Sequence, residues 1–181
     1  RRFRRRLRIR RRCFRVPFMT DAIEAPPADF FWRVIHSRPR CEKKLAEYAT
    51  AHGIGHYLPL RRETRVYQRR RVTFDYPLFP GYLFAVLNGD ALVTLLKSHQ
   101  VVRTLEVVDQ SRLVFELDQI RRALTADPTL GAYRMVRPGQ AVRVKSGPFQ
   151  GIEGRVVTVR GKTRVMLAVE MIGQAVMVDV E

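Results

Sequence analysis

The sequence predicts an α+β domain, an antiparallel sheet with helices packed on it, followed by a small all-β barrel. Three observations predict this. Over residues 30–126, runs of β-branched and aromatic residues alternate with segments whose apolar residues recur at helical spacing. Beyond residue 138 the helical spacing vanishes, and valines alternate with polar residues between glycines. Between the two lies 127–137, which contains Pro128 and Gly131, has no periodicity and reads as a linker.

The elements follow in order. Residues 30–35 (FFWRVI) have strand composition. Pro39 suits the first turn of a helix, where its missing N–H costs nothing. Cys41, Leu45, Tyr48 and Ala49 then share one helical face, and Gly53 ends it. Glu42 and Glu47 are assigned to the polar face, pairing with Lys43 and Lys44. Two extended runs come next, residues 56–67 and 71–87, joined by a basic bend holding Arg69, Arg70 and Arg71. Asn88 and Asp90 supply capping side chains for a short helix over 91–99. Residues 101–108 read as a strand, and 115–126 as a helix lined by Leu117, Ile120 and Leu124. In the last segment Val142 and Val144, then Val165, Leu167 and Val169, then Val176, Val178 and Val180 alternate with polar or small positions. Barrel closure would remove the exposed edges of so small a sheet, which spans 138–181.

Charge has to be divided before it is used. The formal net charge is +17, of which residues 1–18 supply +10 through ten arginines and no acid. The rest carries 24 basic and 17 acidic residues, a net of +7 that still favours anionic partners. The leader has the composition of a nucleic-acid-binding arm, and it also fits an Arg-rich presequence that lacks the usual serines. A third reading is preferred: Met19 opens a quiet polar segment, so the true start is expected there, with the leader an upstream in-frame extension. Residues 1–29, including Pro26 and Pro27, are read as a disordered basic and polar leader. No apolar run approaches the ~18 residues of a membrane span. Cys13 and Cys41 have no CxxC spacing, which indicates neither a disulfide framework nor a zinc site, and a reducing cytoplasmic setting is the simplest home.

Catalysis finds no support. His52 and His56 are separated by Gly53 and Gly55, so they do not share a helical face as a metal pair would. His36 and His99 read as ordinary surface or core residues. No GxSxG, P-loop or GxGxxG pattern occurs. The sequence therefore predicts no enzyme, no cofactor and no metal site.

Two motifs carry the functional reading. In residues 77–87 (PLFPGYLFAVL), Pro80-Gly81 interrupts a strand, after which Tyr82 and Phe84 project from one face. With Phe79 they are expected to form a cluster of rings facing outward beside a kink, although each ring has a competing reading as plain core. Tyr82 is best suited to partial exposure, because its hydroxyl needs water or a partner. In residues 138–159 (PGQAVRVKSGPFQGIEGRVVTV), Gly147, Gly151 and Gly154 lie among Val142, Val144 and Val156 in a strand-turn-strand unit.

Together these segments resemble the NusG family, whose members join an α+β NGN domain to a small all-β KOW barrel. The resemblance runs from about Trp32 to the end of the chain. It implies a transcription elongation or antitermination factor that suppresses pausing or termination, here over an NGN domain at 30–126 and a KOW domain at 138–181. It implies that Tyr82 and Phe84, with Phe79 beside them, dock on the clamp helices of the largest RNA polymerase subunit. It implies contact with the second-largest subunit near Val93, Thr94 and Leu95, where the polar His-Thr-Thr of one branch of the family is absent. Basic residues are implied at the displaced non-template strand or upstream DNA: Arg38, Arg40 and Lys44 by the first helix, and Arg61, Arg62, Arg65, Arg69, Arg70 and Arg71 on the hairpin. The competing reading of that hairpin is a solvated, aggregation-resistant edge. The barrel is implied to recruit the ribosomal protein NusE or the terminator Rho through Phe149. Here Ile172-Gly173-Gln174 stands where general members carry Phe-Gly-Arg, which points to a specialised paralogue. A monomer without membrane association is expected. The alternative is a KOW-containing RNA-binding ribosomal or translation-associated protein, which would not need the FPGY strand.

Overall fold

The computed structural model describes residues 23–68, 70–136, 139–159 and 161–179. The arginine-rich leader and Arg69 lie outside the described residues. The part of the expected tail that is described is tied to the core. Ile23 and Phe30 pack against the main cluster, and the Trp32 indole N–H donates to the Glu24 carbonyl at 3.1 Å.

The first region is built on β1 (Phe31–Ser37), α1 (Glu42–Ala51), β2 (His56–Tyr57), β3 (Leu60–Tyr67), β4 (Arg70–Pro77), β5 (Tyr82–Leu87), α2 (Gly89–Leu96), β6 (Val101–Glu106) and α3 (Gln110–Ala126). β2, β5, β1 and β6 form an antiparallel sheet in that order, while β3 and β4 pair with each other as a separate ribbon. Each of the two extended runs read from the sequence is therefore two strands. The first breaks at Leu58-Pro59 and the second at residues 78–81, because proline removes a ladder donor and Gly81 takes φ +85°.

Strand alternation divides the core. Trp32, Val34, Phe84 and Val86 face one way, towards Leu113, Leu117 and Ile120 of α3. Ile35, Leu83, Ala85 and Leu87 face the other way, against Leu45 and Ala49 of α1 and Leu95 of α2. Helices thus cover both sides of the sheet. α2 is capped where predicted, with the Asn88 side chain accepting from the Ala91 N–H at 2.8 Å, but it runs Gly89–Leu96 rather than 91–99. α3 starts five residues earlier than the apolar spacing suggests. Asp109 caps it by accepting from the Arg112 N–H; Leu113, four residues before Leu117, extends the apolar row, and only Gln110, Ser111 and Arg112 carry no apolar signal.

The second region contains β7 (Ala132–Arg134), β8 (Ala141–Arg143), β9 (Glu153–Val159), β10 (Lys162–Val169), a 3₁₀ turn (Glu170–Ile172) and β11 (Gln174–Asp179). Its sheet runs β7-β11-β10-β9-β8 and stays open, so the predicted closed barrel is corrected to a five-stranded antiparallel sheet. β7 lies within the stretch read as a linker. Closure is unnecessary for burial here because α3 covers one face. Val165, Leu167, Val169, Val176 and Val178 belong to the same cluster as Leu117 and Ile120 of α3. Met166, Ala175, Met177 and Val157 form a smaller cluster on the opposite face. One helix therefore serves two sheets.

Candidate functional site

The kink between β4 and β5 is held by a buried acid. Glu42, at the first turn of α1, accepts a 2.6 Å hydrogen bond from the Gly81 N–H. It is not on the polar helix face assigned from the sequence, because the return of the chain at Gly81 closes over it. The Gly81 carbonyl also accepts from the Ser37 N–H at 2.8 Å, so both backbone groups of Gly81 are satisfied. A Cβ on Gly81 would stand 3.5 Å from the His36 ring, in a backbone conformation that favours glycine.

This arrangement separates the three rings of the motif. Phe79 and Phe84 are both 0% exposed and meet edge to face at 6.3 Å, with Tyr57 at 6.4 Å from Phe84. The outward-facing cluster expected from the sequence is corrected in these two members. Phe84 lies on the side of β5 that α3 covers, and Phe79 turns inward where the strand is interrupted. Tyr82 remains half-buried at the edge, its ring 5.3 Å from that of His36. Val93 on α2 is exposed and Leu95 buried, on the opposite side of the sheet from α3.

The basic residues fall into two groups. Arg38, Arg40 and Lys44 are exposed around the entry to α1. Arg62, Arg65, Arg70 and Arg71 are exposed on the β3–β4 ribbon and Arg61 is half-buried there. Glu63 sits between Arg61 and Arg65, at 2.9 and 2.7 Å. The hydrogen bond from Arg65 holds its carboxyl below the usual carboxylate range, with the neighbouring guanidinium charges adding to this. Tyr67, Phe74 and Tyr76 on the same ribbon were missed by the sequence reading. Their common face follows from period-2 spacing only once the register of the two strands is known.

The second sheet docks on α3 through a polar stripe, Arg112, Glu116, Gln119 and Arg122, at helical spacing. The Gln119 side-chain oxygen accepts from the Glu153 N–H at 2.8 Å, and Glu116 accepts from the Glu170 N–H at 3.3 Å. Arg112 pairs with both Glu116 and Glu170. Burial pushes the Glu116 carboxyl upward, partly opposed by these hydrogen bonds. Phe149 is buried in the continuous cluster that includes α3, Ile172 packs against it half-buried, and Gln174 opens β11 beside Arg134. The residues read as a partner-recruiting surface thus belong to, or border, an internal contact. Among the described residues no group of His, Cys, Asp and Glu is arranged to hold a metal ion, and no helix is long and apolar enough to cross a membrane.

The model of the family described as "Transcription termination factor nusG" matches residues 30–122, just over half of the chain. This chain belongs to the NusG family. The match spans the whole first sheet with α1, α2 and most of α3, and so takes in the Gly81 kink and the arginine ribbon. The solved structure described as domain interaction in Thermotoga maritima NusG is 21% identical, over 83% of this chain and 94% of that one, at a TM-score of 0.46. The MjSpt4:Spt5 complex is 14% identical over 83% of this chain and 100% of that one, at 0.28. No curated protein matches. In this NusG-family chain the family-matched region and the docked second sheet share α3, so the surface of one bears on the availability of the other.

Proposed function

We propose that this NusG-family chain is a transcription elongation and antitermination factor that binds RNA polymerase and suppresses pausing or termination, without catalysis. The observation that carries the reading is Tyr82. It is a partly exposed ring at a glycine kink, held in place by a buried acid, within the family-matched region. A ring beside an edge is a suitable anchor for an apolar helical tip such as the clamp helices of the largest subunit. Phe79 and Phe84 support Tyr82 from beneath rather than meeting the partner themselves.

Arg38, Arg40 and Lys44, with the arginines of the β3–β4 ribbon, supply sequence-independent contact with non-template or upstream DNA. NusE or Rho would meet Phe149, Ile172 and Gln174 only after the second sheet leaves α3, since Phe149 is buried in the dock. The Ile172-Gly173-Gln174 turn supports a specialised paralogue, acting as a cytoplasmic monomer.

Co-elution of the full chain with core polymerase tests this. Tyr82→Ala is expected to lower association at least tenfold while Trp32 emission stays native, because a half-buried ring contributes about 1.4 kcal/mol or more at an interface centre. Phe84→Ala is expected to unfold the domain, a cost of about 3–5 kcal/mol for a buried Phe. Unchanged association of Tyr82→Ala overturns the anchor. Binding to ribosomal subunits with none to polymerase favours the translation-associated alternative.

A further inference from the structure

We propose that the cavity between α3 and the second sheet binds a small aromatic carboxylate. The cavity measures about 500 Å³ and is walled by Phe115 and Gln119 of α3, by Met135, and by Arg155, Met166 and Leu167 of the second sheet. That volume lies within the range of sites that take small organic molecules, and such sites form preferentially where two packed units meet. The site is independent of the polymerase reading, because it uses neither Tyr82 nor a macromolecular partner.

The apolar walls set the body of the ligand. Leu113, Leu117 and Ile120 of α3 are sealed in the core, yet Phe115 on the same helix is 46% exposed and Met135 across the cavity 39%. Met166 and Leu167 complete this wall and are buried. A phenyl ring packs favourably on another ring, and methionine sulfur does so as well, so two methionines beside Phe115 favour an aromatic body over an aliphatic one.

The polar groups set its head. Most lining charges are already matched: Arg112 pairs with Glu116 and Glu170, and Arg143 with Glu153. Arg155 has no carboxylate partner among the described residues, and its guanidinium donates to the Gly139 carbonyl at 3.4 Å. Gln119 is 5% exposed, with its side-chain oxygen committed to the Glu153 N–H at 2.8 Å. That bond fixes which end of the amide is which, and the amide nitrogen has no acceptor among the described residues. Glu153 and Arg155 lie two residues apart on β9, so both unmet groups belong to one part of the wall. Both are donors, one is cationic, and a buried donor needs an acceptor. One unmatched cation calls for one negative charge on an acceptor-only group, which is a carboxylate.

The test is isothermal titration of the full chain with naphthoate and with its neutral amide, naphthamide. Naphthoate is expected to fill one saturable site and to bind about tenfold more tightly than naphthamide. Arg155→Gln is expected to weaken naphthoate about tenfold and to leave naphthamide unchanged. Phe115→Ala is expected to weaken both about fivefold. Both substituted side chains are partly exposed, so native Trp32 emission is expected in each variant. A ligand held by both walls opposes their separation, so naphthoate at about ten times its Kd is expected to slow tryptic cleavage after Arg134 about tenfold. No saturable binding by the wild type, or binding that Phe115→Ala leaves unchanged, overturns the site. Equal affinity for naphthamide, or no effect of Arg155→Gln, overturns the carboxylate as its ligand. Binding without slower cleavage puts the ligand elsewhere on the chain and overturns the site as well.

Discussion

Replacing Glu42 by alanine tests whether one buried hydrogen bond holds the kink that presents Tyr82. Glu42 is 5% exposed and its carboxylate accepts from the Gly81 N–H at 2.6 Å. Alanine leaves that donor without a partner in a partly buried turn. A hydrogen bond to a charged group contributes about 1.5–3 kcal/mol, and orphaning a buried donor costs a similar amount, so about 2 kcal/mol is expected for Glu42→Ala. Glutamine keeps an acceptor oxygen but not the charge, and charge-assisted bonds are about twice as strong as neutral ones, so about half that loss is expected for Glu42→Gln. The assay is urea unfolding followed by the single tryptophan, Trp32, which is buried in the main cluster and so reports this region. Amide exchange at Gly81 localises the effect, and Glu47→Ala on the exposed side of α1 is the control. Equal midpoints for wild type, glutamine and alanine, with Gly81 exchange unchanged, would refute the role given to Glu42.

Two further outcomes follow from the same geometry. Gln119→Ala removes the acceptor for the Glu153 N–H and is expected to weaken the dock of the second sheet on α3 by about 1–3 kcal/mol, read as faster tryptic cleavage after Arg134; cleavage as slow as in the wild type counts against it. His56 is lowered by burial, a shift partly opposed by its bond with the Ile54 carbonyl, so the unfolded chain binds its proton first as pH falls. The stability it contributes is complete above its unfolded value of about 6.5 and is lost as pH falls through the lower folded value, so urea midpoints should drop below pH 6.5 in the wild type and drop less in His56→Gln.

Much of the first region was legible from local pattern. The helical face of Leu45 and Ala49, the Asn88 cap and the glycine stop at Gly53 all act within a few residues, and the structure contains each of them. The start of α3 was only partly legible: Leu113 continues the row of Leu117 and Ile120, but Gln110, Ser111 and Arg112 after the Asp109 cap carry no apolar signal. The ringed face of the ribbon was not legible either. Tyr67 and Phe74 come together only when β3 is paired with β4 in one register. Glu42 looked like a surface acid beside two lysines, since nothing in α1 announces that Gly81 will close over it.

The sequence by itself determined the order of the helices and of the extended runs between them, the break at Pro80-Gly81, the basic ribbon and the change of pattern after α3. These depend on backbone preferences and spacing within short windows. Only the tertiary structure decided that Phe79 and Phe84 are core, that the last sheet stays open, and that Phe149 is buried at α3. Periodicity states which side chains share a face, but burial depends on what distant segment covers that face. Here the covering segment is α3, which lies between two sheets and supplies both with a neighbour.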